Sequence, residues 1–209
     1  MSEAVLLAIH YQNDNCHARG RVRLGLGETD PRREGLIGAA RRLFSAARAV
    51  GVPIVHVRYA WSPDYRDVAM NAPVYRQHAA LGAWKDGEWG GDFLEELRPA
   101  PGEFKITHAR MSPFYASRLE EVLALLRPRR LIVAGVSTTF AVESTVRDAS
   151  DRGYEVLVAA DACATGDPVM HEASLNVMRM LAIVATADEI AATLSPPLEL
   201  HNRRRPRTR

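Results

Sequence analysis

The amino-acid sequence predicts one α/β domain with a three-layer αβα arrangement, in which helices cover both faces of a mostly parallel central sheet. Short, wholly apolar segments recur along the chain, as expected for strands that are buried on both faces of a sheet. Segments with helical hydrophobic spacing alternate with them, and the connections are short. With 209 residues, of which 47% are hydrophobic and 25% charged, the chain is long enough to enclose a full hydrophobic core.

The first part of the chain supplies two predicted strands and one helix. Residues 4–9 (AVLLAI) form a buried strand, and the polar residues 10–33 that follow it form a loop. Apolar side chains at helical spacing predict a helix over residues 36–47, and Gly51 ends it because the left-handed position after a helix favours glycine. Residues 53–59 (PIVHVRY) form the second strand.

The middle of the chain begins with residues 60–90, which hold all three tryptophans. Because a long loop inside a compact domain is usually functional, we predict that this one contributes to a site. A short helix over residues 93–97 and a strand over residues 104–107 follow. Residues 115–126 have helical spacing, and residues 131–136 (LIVAGV) are the clearest buried strand of the sequence.

The last part of the chain repeats the alternation of helix and strand. A helix over residues 139–152 ends at Gly153, and residues 155–160 form the next strand. Two further helices are predicted over residues 172–184 and 188–194.

The distribution of charge argues against a nucleic-acid-binding protein. Five arginines lie within the last seven residues, and without them the formal charge falls from +2 to −3. A mildly acidic body with a short basic end does not present the basic face that nucleic acids require. We therefore predict a domain over residues 1–195, followed by a disordered tail over residues 196–209.

Other features of the sequence favour the cytoplasm. No apolar run is long enough to span a membrane, so we expect no membrane partner. No basic segment precedes the first apolar run, as a secretory signal would require. In a cytoplasmic protein, Cys16 and Cys163 are expected to be free thiols.

Four segments, in order along the chain, carry a resemblance to a known family. They are residues 6–14 (LLAIHYQND), 108–114 (HARMSPF), 134–149 (AGVSTTFAVESTVRDA) and 153–165 (GYEVLVAADACAT). In these segments the chain resembles the isochorismatase-like superfamily of cysteine hydrolases, whose members share a three-layer fold with a parallel sheet. Each motif alone is weak, but the ordered set covers most of residues 4–195 and is specific.

The resemblance also implies where a catalytic triad would lie. Members that hydrolyse amides use an aspartate, a lysine and a cysteine nucleophile, and these positions correspond here to His10, His108 and Ala141. Because alanine has no nucleophile, the family's covalent acyl transfer is excluded at this position. Isochorismatases use the aspartate as an acid, and that group is replaced as well.

Two of the three replaced positions hold imidazoles, which can move protons near neutral pH. We therefore predict that His10 and His108 form an acid–base pair that works without a covalent intermediate. The alternative is that they fill space and form hydrogen bonds in a pocket that only binds. Cys16 is a weaker candidate nucleophile, because a thiol at this place is structural in relatives.

A wider set of residues is predicted to bind the substrate. Arg110 would share the face of His108 and hold an anionic group, although a structural ion pair is an equally good explanation. The aromatic side chains of the long loop suit a flat ligand, or alternatively pack in the interior or form a subunit interface. The predicted substrate-binding residues are Gln12, Trp61, Trp84, Trp89, Arg110, Val136, Ser137, Phe140 and Ala141.

These features lead to one functional prediction and one alternative. The prediction is a hydrolase-like enzyme of divergent, non-covalent acid–base mechanism, acting on a small, cyclic or aromatic, anionic metabolite by hydrolysis, isomerisation, elimination or cyclisation. The alternative is an inactive homologue that binds a ligand or a partner subunit. The resemblance further implies a homodimer or homotetramer. It implies no cofactor and no metal, because the Asp-x-His metal motif of the nicotinamidases is missing after the second strand.

Overall fold

The computed structural model describes residues 3–25 and 29–194, and its centre is a sheet of six parallel strands. The predicted tail over residues 196–209 lies outside these described residues. The strands are β1 (Ala4–Ile9), β2 (Ile54–Tyr59), β3 (Phe104–His108), β4 (Arg130–Val136), β5 (Glu155–Ala164) and β6 (Ile183–Ala185). They lie in the order β3-β2-β1-β4-β5-β6, and each pairing is parallel. The predicted α/β fold with a parallel central sheet is therefore confirmed.

Helices cover both faces of this sheet. They are α1 (Asn13–Cys16), α2 (Arg32–Ala49), α3 (Pro73–Ala80), α4 (Leu119–Leu126), α5 (Glu143–Asp151), α6 (Pro168–Met178) and α7 (Ala187–Ala191). Helices α2 and α7 pack on one face, and α4, α5 and α6 pack on the other. Within the described part of the chain, no helix has the length and apolar character needed to cross a membrane.

Strand β1 lies in the middle of the sheet, and all of its side chains are buried. Leu6 and Ala8 point towards α2, whereas Leu7 and Ile9 point towards α5 and α6. Because the strand has an apolar layer on each side, both sets of alternate side chains are apolar. Full burial of one such leucine contributes about 2 kcal/mol to the free energy of unfolding.

Two local predictions were wrong. Residues 73–80, predicted as part of a loop, form α3, and Pro73 occupies its first turn, where a helix has no need of the missing N–H group. The predicted helix over residues 172–184 ends at Met178, and residues 183–185 form the edge strand β6. There the pairing of Ile183 with Leu157 of β5 decides the conformation, and helical spacing alone could not reveal that tertiary contact.

The strand order places a crevice at one point of the sheet. From β1 the chain adds β2 and β3 on one side, and it then crosses to add β4 and the later strands on the other side. The connections after β1 and β4 therefore diverge, and ligands of open parallel sheets bind at such a switch point. His10 follows β1 here, and Ser137 follows β4.

Gly135 permits the close approach of β4 to β1 beside this crevice. Its φ is 150°, and a Cβ atom at this position would overlap the carbonyl oxygen of Ile9. Because the nearest atom belongs to the backbone of β1, it cannot rotate away as a side chain could. A side chain at position 135 would therefore push the two central strands apart.

We predict that Gly135→Ala lowers the free energy of unfolding by about 3 kcal/mol, because backbone strain and overpacking act together. The measurement is urea unfolding followed by circular dichroism. Gly35→Ala is the matched control, since Gly35 lies in α2 with nothing within 4 Å of the added methyl group. This control should stabilise the protein by up to about 1 kcal/mol. Equal effects of the two substitutions would contradict the proposed close approach.

Candidate active site

A cavity of about 250 Å³ opens beyond the carboxyl ends of the central strands. His10 lines it after β1, Tyr59 lines it at the end of β2, and Val136 lines it at the end of β4. Phe140 and Ala141 add to the same wall from a π-helical turn that precedes α5. The cavity therefore lies at the switch point that the strand order defines.

Helix α3 and the segment after it form another wall of the cavity. Val74, Tyr75 and His78 of α3 line it, and Trp84 closes it beside them. The remaining lining residues are Asn15, Val22, Leu24, Gln77, Leu81, Met111, Ser137 and Thr165. Among the described residues that line the cavity there is no aspartate, glutamate, lysine or arginine. The lining therefore suits an uncharged ligand better than a charged one.

The two predicted histidines form a buried pair at this site. The Nε2 atoms of His10 and His108 lie 2.5 Å apart, and the rings stack with centroids 4.8 Å apart. One of these nitrogens must donate the hydrogen bond and the other must accept it, so the contact cannot exist when both rings are fully protonated. His10 lines the cavity, whereas His108 does not, and His108 packs behind the lining against the rings of His10 and Tyr59.

Both imidazoles are neutral at pH 7. Burial and the neighbouring His108 hold the pKa of His10 well below its usual range, although a hydrogen bond with the Val136 backbone opposes this. Burial lowers the pKa of His108 to about 4. Within the described part of the chain, neither ring forms a hydrogen bond or ion pair with a carboxylate. A hydrogen bond with the Ser112 backbone opposes the lowering of the His108 pKa.

Backbone hydrogen bonds hold His10 in an uncommon conformation. Its φ is 55°, in the left-handed region, which costs about 1–3 kcal/mol for a residue other than glycine. The His10 N–H donates to the Val57 carbonyl at 2.9 Å, and its own carbonyl accepts from the Asn15 side chain at 2.9 Å. These contacts hold the backbone of His10 at the place where the residue lines the cavity.

Gln12, predicted to bind substrate, is instead fully buried and joins two strands. Its Nε2 donates to the Tyr59 carbonyl at 2.8 Å, and its Oε1 accepts from the Tyr59 N–H at 2.7 Å. The same Nε2 donates to the Gly91 carbonyl at 2.8 Å. The side chain does not line the cavity, and it positions the ends of β1 and β2 that do.

Asp14 and Asn15 fix the aromatic wall. The buried carboxylate of Asp14 accepts the Trp84 N–H at 2.8 Å and the Arg21 N–H at 3.1 Å. The Asn15 Oδ1 accepts the indole Nε1–H of Trp84 at 3.1 Å. Asp14 and Asn15 therefore orient His10 and Trp84, and the charge of Asp14 does not reach the cavity surface.

Three other predicted binding residues lie away from the cavity. Trp61 is 1% exposed in an aromatic cluster behind the wall, and its Nε1 donates to the Ala109 carbonyl. Trp89 is 49% exposed on the surface. The Arg110 guanidinium lies 5.1 Å above the Tyr75 ring, in an open groove beside the cavity. A direct role of these residues in substrate binding stays a prediction that the cavity lining does not support.

Five of the predicted binding residues line the cavity, and their role in binding stays a prediction. Trp84, Val136, Ser137, Phe140 and Ala141 all line the cavity, and the peptide bond between Val136 and Ser137 is cis. Cys16, the weaker candidate nucleophile, is buried in the core away from the cavity, and burial raises its pKa to about 12. A thiol with this pKa is neutral and unreactive at pH 7.

Sequence reasoning missed the contribution of α3. Tyr75 and His78 were not predicted as site residues, yet both line the cavity. The sequence signal for this helix was Pro73, a residue typical of a first helical turn. Val74, Tyr75 and His78 then follow at a spacing that places them on one side of a helix. The prediction of a long functional loop obscured this short helix.

Comparison with known proteins places the chain in a family. The Isochorismatase domain family matches residues 4–189. Ureidoacrylate amidohydrolase of Rhizobium rhizogenes is 28% identical over 208 residues, which cover 93% of this chain and 84% of that protein. The enzyme of the same name from Methylorubrum extorquens is 30% identical over 208 residues, which cover 91% of this chain and 82% of that protein.

Solved structures agree with this assignment. An isochorismatase family protein from Desulfovibrio vulgaris is 25% identical, with a TM-score of 0.76 over 92% of this chain and 100% of that chain. A cysteine hydrolase from Pseudomonas syringae is 20% identical and shares the fold, with a TM-score of 0.79 over 91% of each chain. From the family match over residues 4–189, the chain belongs to the isochorismatase family.

Proposed function

We propose that this protein is a non-covalent enzyme in which neutral His10 acts as a general base on a small, flat, uncharged molecule. The observation that carries the proposal is the position of His10, which lines a cavity that has no charged side chain among the described residues, and whose ring contacts a second imidazole. Burial keeps the pKa of His10 low, so the ring is neutral at pH 7 and is in the form that can accept a proton.

The substrate class follows from the lining. Arg110 was expected to bind an anionic group of the substrate, but neither Arg110 nor another cationic side chain is among the described residues that line the cavity. We therefore propose an uncharged substrate. Trp84, Tyr59 and Tyr75 supply flat apolar surfaces that suit an aromatic or heterocyclic ring. Amide hydrolysis through a covalent intermediate does not transfer from the relatives, because Ala141 offers no nucleophile.

The proposed chemistry begins with His10 and His108 in contact. In the resting pair, one Nε2–H donates to the other Nε2, and the substrate must take the place of His108 at the lone pair of His10. His10 then accepts the proton from a carbon or oxygen of the substrate, or from a water molecule that attacks it.

One observation favours the alternative of a ligand-binding homologue without activity. The His10 ring already forms hydrogen bonds with His108 and with the Val136 backbone, so it has no free lone pair to accept a proton. An enzyme and a binding protein differ in their response to small uncharged aromatic compounds. A binding protein would show a rise in melting temperature with such compounds but no turnover of any of them.

The first test uses 5-nitrobenzisoxazole, a flat uncharged compound whose ring opens when a base removes one carbon-bound proton. We expect wild-type protein to accelerate ring opening, with kcat/KM constant from neutral pH down to below pH 6.5, the ordinary pKa of a histidine. Because His10 must be neutral and its pKa is lowered, the rate falls only at more acidic pH. An acid limb at or above pH 6.5, measured by absorbance of the product, would contradict this assignment.

The second test changes each imidazole separately. His10→Asn should reduce ring opening to the rate of buffer alone, and asparagine tolerates the left-handed backbone of this position. His108→Phe should retain activity and move the acid limb to higher pH, because the repulsive neighbour that lowers the pKa of His10 is removed. His17→Asn, an imidazole outside the cavity lining, is the control. Undiminished activity of His10→Asn would refute the proposed base.

A further inference from the structure

We propose that His78 is a second functional imidazole of this cavity, which donates a hydrogen bond from its neutral ring to an uncharged oxygen of the ligand. The inference deepens the proposed function, on which its kinetic consequences rest. It narrows the substrate class to small flat molecules that carry both a removable proton and an oxygen acceptor. His10 would serve the first of these groups and His78 the second.

The position of His78 is fixed by its surroundings. It lies on α3, its ring lines the cavity, and its backbone carbonyl accepts the Ala83 N–H at 3.1 Å. The imidazole centroid lies 4.5 Å from that of Trp84, with the rings inclined by 64°. Because Asp14 and Asn15 hold Trp84 in place, the imidazole rests against a rigid surface.

The hydrogen-bonding capacity of His78 is unused in the described part of the chain. Three other polar side chains of the lining have partners within the protein: Asn15 binds the His10 carbonyl and Trp84, and the Ser137 and Thr165 hydroxyls each lie within hydrogen-bonding distance of the Thr139 hydroxyl. The His78 ring forms no side-chain hydrogen bond with any described residue, although it is half-buried. A polar group that is partly desolvated and aimed into a cavity gains most when a ligand supplies its partner.

The His78 ring is neutral at pH 7, as an uncharged cavity requires. Burial lowers its pKa, and no carboxylate among the described residues supports the protonated form. A neutral imidazole has one N–H donor and one acceptor, and as a donor it polarises an oxygen without introducing a buried charge. Donation from a neutral ring is strongest where negative charge develops during the reaction.

The cavity thus contains two imidazoles with complementary roles. In the ring opening of 5-nitrobenzisoxazole, His10 takes the carbon-bound proton, the electron pair forms the nitrile, and the nitrogen–oxygen bond breaks. The negative charge develops on the phenolate oxygen that is released. A donor at His78 would stabilise this oxygen, and its effect would grow as the leaving phenolate becomes more basic.

The kinetic test compares His78→Gln, which keeps an N–H donor, with His78→Phe, which keeps the flat shape and removes it. We expect His78→Phe to lower kcat on the order of 10²-fold and His78→Gln to retain most of the activity. The loss in His78→Phe should be larger for unsubstituted benzisoxazole, whose leaving group is more basic. His17→Phe, the same change outside the cavity lining, should leave kcat unchanged. Equal loss in the glutamine and phenylalanine variants would overturn the donor role.

A second readout does not depend on activity. Benzamide labelled with ¹³C at its carbonyl should bind wild-type protein, with a carbonyl stretch at lower frequency than in an apolar solvent. His78→Phe should remove most of that infrared shift and His78→Gln should preserve it. If wild-type protein binds benzamide in this way but does not open the isoxazole, the general-base proposal fails and the donor inference stands. Absence of benzamide binding, or an unchanged shift in His78→Phe, would overturn the inference.

Discussion

The buried amide of Gln12 holds together the part of the molecule on which the site depends. It exchanges two hydrogen bonds with the Tyr59 backbone, and so it extends the contact of the two chain segments beyond Ile9 and Val57, the last paired residues of β1 and β2. Each bond contributes about 1 kcal/mol, but an unpaired backbone group at this depth would cost about 1–3 kcal/mol. The third bond, to Gly91, ties the segment after α3 to the same point. The side chain of Gln12 therefore positions both walls of the cavity.

The polar residues after β1 continue this arrangement outwards. Asn15 orients the His10 carbonyl and the Trp84 indole, and Asp14 binds the Trp84 backbone. Trp84 in turn supports His78. These polar side chains thus act inside the protein, and the surface that they position beside the cavity consists of aromatic and imidazole rings. This division explains how a sequence rich in polar residues near its candidate site can form an uncharged cavity.

Sequence patterns predicted the parts of the structure that depend on local periodicity. The strand over residues 4–9 and the buried strand ending at Val136 were predictable because both of their faces meet apolar layers. Edge strand β6 was not, because its exposed residues resemble a helical surface and only pairing with β5 makes them extended. The lining of the cavity was partly predictable from the carboxyl ends of the strands. Arg110 was placed beside His108 by alternation along a strand, but β3 ends at His108 and alternation stops there.

The electrostatics of the cavity connect the three replaced family positions. In the triad that the resemblance implies, an aspartate and a lysine occupy the places of His10 and His108, so two opposite charges would face each other where two neutral rings now stack. Replacing one member alone would leave an uncompensated buried charge, at a cost of about 3–5 kcal/mol. Replacing both with histidine removes that cost, because each ring can be neutral and one can donate to the other. The third change, to Ala141, removes the nucleophile that the charged pair would have activated. The three positions are therefore mutually consistent as an uncharged site, and its two imidazoles are the groups that we propose for proton transfer.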